Sequence, residues 1–185
     1  MTKELKRKEM KESREINKAA ILVVTLMIVL GTCMHFVCDL VNNDDVMKIL
    51  GVIFPVNETS WEHMKMLWYP FLAGGIVLSK KQRNAGIFGG FVIGGTVAML
   101  TIIGCFTLYQ SFTISSVLIL DIILFTLDII LCAMLGFLLA KQDWCRKSLI
   151  VWIVLAVIIT AGIIYLTYCP GSGYIFLDNE GLAAD

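Results

Sequence analysis

The sequence predicts an all-α fold, a polytopic membrane helix bundle of about five transmembrane helices with a short interfacial or re-entrant segment after the first. Three observations predict it. Hydrophobic residues make up 58% of the chain and mean hydropathy is +0.82, well above the roughly 45–50% apolar share of an ordinary soluble domain. The apolar residues fall in runs near the roughly 20 residues that a helix needs to cross hydrocarbon. Lysine and arginine cluster in alternate connections between those runs, as positive-inside sorting requires.

The elements follow in order. A basic head, residues 1–18, carries Lys3, Lys6, Arg7, Lys8, Lys11, Arg14 and Lys18 interleaved with Glu4, Glu9, Glu12 and Glu15. That alternation suits a solvated or membrane-surface helix held by i,i+4 pairs. It also argues against nucleic-acid binding, because acids are mixed in throughout. The apolar run behind it is longer than a signal-peptide h-region, so it reads as a retained first span, Ala19 to Val41. Val46 to Val56 is about half a span, with a helix start at Asn43 or Asp44. Further spans run from Trp61 to Leu78, Ala85 to Leu108, Ser115 to Ala140 and Leu149 to Thr167. Residues 19–168 thus form the bundle and 169–185 a tail.

An odd number of spans puts the termini on opposite sides. Lys80, Lys81 and Arg83 follow the second span and Lys141, Arg146 and Lys147 the fourth, while Tyr109 to Ser115 carries no charge. The N-terminus is therefore read as cytoplasmic and the C-terminus as extracytoplasmic, in a cell membrane. Trp61, Trp68, Tyr69, Tyr109, Tyr165, Tyr168 and Tyr174 lie near outer ends and Trp144 and Trp152 near inner ones, matching interfacial belts. Pro70 should kink the second span. In the third span Gly86, Gly90 and Gly94 recur every four residues, a ridge without side chains where another helix packs closely. That helix is either a neighbour in the same chain or a second copy in a homodimer. The six cysteines contain no Cys-x-x-Cys and no zinc-ribbon spacing, so most read as small apolar packing residues, with Cys169 placed to approach Cys33 or Cys105 near the outer face.

The chemistry-bearing residues gather by depth. His35 and Asp39 share a face near the outer end of the first span. Glu58, Glu62, His63 and Lys65 open the second at the same level. Asp121 lies about 9 Å and Asp128 about 20 Å along the fourth span, seven residues apart on one face. These eight residues are the candidate binding site. Plainer roles exist for some: Thr59-Ser-Trp-Glu62 has capping-box spacing, and Lys65 can snorkel to the surface. An aspartate at a helix centre, by contrast, costs roughly 2.5–3.5 kcal/mol and needs compensation.

The run His35-Phe-x-x-Asp39, then Asn57-Glu58-x-x-Trp61-Glu62-His63-x-Lys65 leading into an aromatic and Pro70, resembles an uncharacterised family of small bacterial multi-pass membrane proteins known as domain of unknown function 6512. The resemblance implies fold and topology and supplies no activity.

Three functional readings remain. The first is a small transporter or ion-coupled carrier with Asp121 and Asp128 as steps of a cation or proton path. The second is a membrane-embedded hydrolase of lipid or headgroup esters, with His35, Glu58, His63 and Asp121 around a divalent metal such as zinc. No His-Glu-x-x-His spacing supports that metal set, and Glu62 and His63 point about 100° apart on a helix. The third is an accessory or sensor protein whose outer site binds a partner or a lipid phosphate at a helix N-terminus beside Lys65.

Overall fold

A computed structural model describes residues 3–41, 44–57, 59–110, 118–172 and 174–176. Among these residues the chain forms nine α-helices and a 3-10 turn at Tyr174–Phe176, without a strand. Helix α1 (Lys3–His35) runs unbroken from the basic head into the first apolar stretch. After a turn at Phe36 come α2 (Val37–Leu40) and α3 (Asp44–Leu50), the latter lying where the half-length segment was expected. Residues 51–57 and Thr59 precede α4 (Ser60–His63) and α5 (Lys65–Gln82). Helices α6 (Ala85–Gln110), α7 (Leu118–Leu139), α8 (Asp143–Lys147) and α9 (Leu149–Tyr168) complete the order. The expected cap at Asn43 and residues 111–115 of the uncharged Tyr109 to Ser115 connection lie outside the described residues, while 109 and 110 close α6.

Among the described residues four helices are long and apolar enough to cross a membrane: α1 over Arg14–His35, α6 over Ala85–Leu108, α7 over Ile119–Leu139, and α9. The expected span at Trp61 to Leu78 is a helix too, but α5 carries Lys65, Lys80 and Lys81 in its 18 residues. It compensates by being central. Met66, Leu67, Trp68, Pro70, Phe71, Gly74, Gly75 and Leu78 are all buried, with α1 and α6 packed against it.

Close approaches set the directions. A Cβ on Gly74 would meet Met27 and Val23, and one on Gly31 would meet Met66 O, so α1 and α5 run antiparallel. Gly95 faces Phe71 and Trp68 while Gly75 faces Phe91, which orients α6 against α5. Gly86, Gly90 and Gly94 lie on Ala140, Gly136 and Cys132, which orients α7 against α6. On α9, Trp152 meets Gly89 and Thr167 reaches Glu62. The bundle therefore has one end at Glu62, with the starts of α5 and α7, and another at Lys80, Gly86 and Ala140, with the start of α9.

These contacts decide one alternative left open and correct one expectation. The glycine ridge is filled by the α7 backbone of the same chain, so Gly86, Gly90 and Gly94 are not open to a second copy as a homodimer surface. Trp68 and Trp152 are not interfacial anchors: both are buried, Trp68 Nε1 donating to Thr160 Oγ1 at 2.9 Å and Trp152 Nε1 to Cys145 O at 2.9 Å. Pro70 sits inside a helix that continues past it. Proline removes the hydrogen bond to the carbonyl four residues back, here Met66 O, and that carbonyl faces Gly31, where α1 has no side chain.

Candidate functional site

The polar run at the start of α5 folds into a buried clasp. Lys65 is fully buried, and its ammonium donates to Glu62 Oε2 at 2.5 Å, Gly51 O at 2.6 Å and Phe54 O at 3.3 Å. Three N–H donors thus meet three acceptors. Glu62 is equally spoken for: Oε2 also accepts from Val56 N at 3.0 Å, and Oε1 accepts from Thr167 Oγ1 at 3.0 Å. Tyr69 OH donates to Val52 O and Tyr168 OH to Lys48 O. The segment from α3 to α4 is irregular backbone beside apolar helices, and its carbonyls are satisfied by side chains from α5 and α9. Unpaired buried backbone groups would each cost free energy comparable to a lost hydrogen bond; the clasp removes that cost.

Two sequence readings change here. Lys65 does not snorkel, because its partners lie inside the fold. Only half of the capping box forms. Thr59 Oγ1 accepts from Glu62 N at 3.4 Å, but Thr59 N turns to Asn57 Oδ1 at 3.2 Å and the Glu62 carboxylate goes to Lys65. A buried ammonium outcompetes a helix-end amide for a carboxylate, since the charge-assisted bond is the stronger.

His35 and His63 come together. Their ring centroids are 5.2 Å apart and nearly perpendicular, with Phe106 of α6 6.3 Å from His63 and Phe36 stacked on His35 at 5.4 Å. His63 Nδ1 lies 2.8 Å from Thr59 O. A carbonyl only accepts, so Nδ1 carries the hydrogen and Nε2 is the basic nitrogen of the neutral ring. Asp121 stands in the first turn of α7, at the same end of the bundle. Asp39 lies in α2. Glu58 falls outside the described residues, among which no three His, Cys, Asp or Glu side chains are grouped to hold a metal ion.

Asp128 stands apart from this group, about 15 Å along α7 from Leu118. Its Oδ1 accepts from Thr101 Oγ1 at 2.6 Å and from Cys132 Sγ at 3.4 Å. Its Oδ2 is buried and has no hydrogen-bond partner among the described residues. Sequence reasoning found the aspartate and missed both partners. Thr101 was recoverable, because antiparallel α6 and α7 bring these two residues to one depth. Thr167, Tyr69 and Tyr168 were missed as well, since one ordinary threonine and two tyrosines at helix ends give no signal of their own.

Helices of this length and apolarity, packed about a buried ion pair, define a multi-pass membrane protein of all-helical fold. The chain belongs to a family of unknown function (DUF6512), which matches residues 8–181. No curated protein and no solved structure matches it.

Proposed function

We propose that the chain is a small ion-coupled carrier in which Asp128 is the mid-membrane site for a proton or cation. One observation carries this reading: a carboxylate halfway along a membrane helix holds one oxygen against two donors and keeps the other, Oδ2, buried without a partner. An unpaired buried charge is costly enough that the group takes a proton or a counter-ion instead, and intramembrane carboxylates mark ion paths. Asp121, two turns earlier on the same face of α7, is the next step toward the clasp end. Glu62 and Lys65 are structural in this reading, because each is already fully engaged. No observation favours the hydrolase over it.

The same proposal puts the protein in a cell membrane with the N-terminus cytoplasmic. Lys80, Lys81, Arg83, Lys141, Arg146 and Lys147 are exposed at the bundle end where α1 enters, which supports that orientation. Residues 1–18 are then a cytoplasmic segment, 19–168 the bundle and 169–185 an extracytoplasmic tail.

Proteoliposomes test the carrier. A pH-sensitive dye inside the vesicles, with a potassium diffusion potential imposed by valinomycin, should report proton entry for the wild-type protein and none for Asp128→Asn. Thermal stability should stay within a few degrees of wild type. Equal flux from the two proteins refutes the reading.

A further inference from the structure

We propose that an anionic phospholipid seats one acyl chain in a groove between α5, α6 and α9, with its phosphate at the basic end of the bundle. This inference is independent of the carrier reading. The groove has a volume of about 410 Å³, and Leu72, Ile76, Phe88, Ile153, Val157 and Thr160 are among its walls. That size falls within the roughly 300–1,000 Å³ of small-molecule sites. Thr160 brings the hydroxyl on this wall, and it is satisfied, accepting from Trp68 Nε1 and donating to Ala156 O at 2.7 Å. The lining is therefore apolar in effect, and α6 and α9 place it at membrane depth. Hydrocarbon, not water, must fill it.

Charge decides which hydrocarbon. Leu72, Ile76 and Lys80 succeed one another at intervals of four, so one stripe of α5 passes from groove wall to an exposed ammonium. Lys147 sits two residues before α9, whose first turns supply Ile153. Gly86 lies against Arg146 Cγ and Ala140 O, which brings the α5–α6 and α7–α8 connections to this same end. Lys80, Lys81, Arg83, Lys141, Arg146 and Lys147 are exposed there with Asp143 as the acid among them. Basic pockets at helix ends bind anionic headgroups, because each Lys or Arg near the surface adds attraction for the phosphate. A second copy is the poorer occupant: a parallel dimer across this face would bring two basic ends together at one height, and like charges facing each other are repelled.

Thermal unfolding of delipidated protein, with added phosphatidylglycerol or phosphatidylcholine of matched chain length, tests the site. Phosphatidylglycerol at a hundredfold excess over its Kd should raise Tm by about 5 °C or more, and phosphatidylcholine by clearly less. Lys80→Gln with Lys147→Gln should abolish the difference between the two lipids. Ala161→Trp, which fills the groove from its exposed wall, should reduce the response to both. Glycerol phosphate alone should do nothing. Equal responses to the two lipids in the wild type, an unchanged preference in the double variant, or a full response in Ala161→Trp overturns the proposal. So does a dimer by light scattering that Ala161→Trp dissociates.

Discussion

Replacing Gly90 by alanine puts a methyl carbon 2.1 Å from Gly136 O, 3.0 Å from Gly136 C and 3.2 Å from Ala140 N. All three atoms are backbone of α7, so no side chain can turn aside. A carbon needs about 3.3 Å from a carbonyl oxygen, which forces α6 and α7 apart by roughly 1.2 Å. A gap of that order forfeits a quarter to a half of each dispersion contact along the seam. Overpacking of this kind costs about 1–3 kcal/mol, and an unyielding backbone puts Gly90→Ala near the top of that range. Alanine recovers about 1 kcal/mol as the better helix former. The net loss is about 2 kcal/mol, or about 4–8 °C in Tm for a chain of this size. Gly104→Ala is the control. A Cβ there meets nothing within 4 Å, so only the helix preference remains and Tm should rise by about 2–4 °C. Thermal scans of the detergent-purified variants read both values. If Gly90→Ala melts at or above wild type, or the two variants behave alike, the backbone seam is not what holds α6 to α7.

Lys65→Met should lower stability by about 3–5 kcal/mol, because it leaves the Glu62 carboxyl group buried and facing no cation; Lys65→Met with Glu62→Leu should lose less than the two single changes summed, and strict additivity in the cycle would show that the pair is not coupled. Burial pushes the Cys145 thiol up, and its Sγ donates to Gly86 O at 3.3 Å. A raised value means less thiolate at any given pH, so at pH 8 Cys145 should react with a maleimide far more slowly than the exposed Cys169; comparable rates by mass spectrometry would contradict that burial. In intact cells, an impermeant maleimide should reach a cysteine placed by Ser172→Cys and miss one placed by Gln142→Cys in an otherwise cysteine-free chain. The opposite pattern inverts the proposed orientation.

Periodicity and hydropathy were enough to place α1, α6, α7 and α9, though not to separate them from the lysine-bearing α5, because lipid accepts only segments whose backbone is satisfied internally and whose surface is apolar. The α6, α7 and α9 boundaries depart from the expected ones mainly at helix ends. The basic connections were equally legible, since charge segregation is a one-dimensional property. The glycine ridge, too, announced a close helix contact, and left open only which helix would make it. What tertiary structure decided was the partner of each polar group. Glu62 and Lys65 stand three residues apart in the sequence and read as a cap and a snorkelling cation; folded, they become a buried pair because carbonyls at 51 and 54 and the Thr167 hydroxyl complete their hydrogen bonds. Asp128 was visible as a costly mid-helix charge, but Thr101 entered only when α6 was laid antiparallel on α7. Which runs cross the membrane follows from composition along the chain, whereas the burial of Lys65, Trp68 and Trp152 does not. Hydrogen bonding between segments depends on directions and distances that no local pattern encodes, so the same residues read as surface chemistry until the helices that close over them are in place.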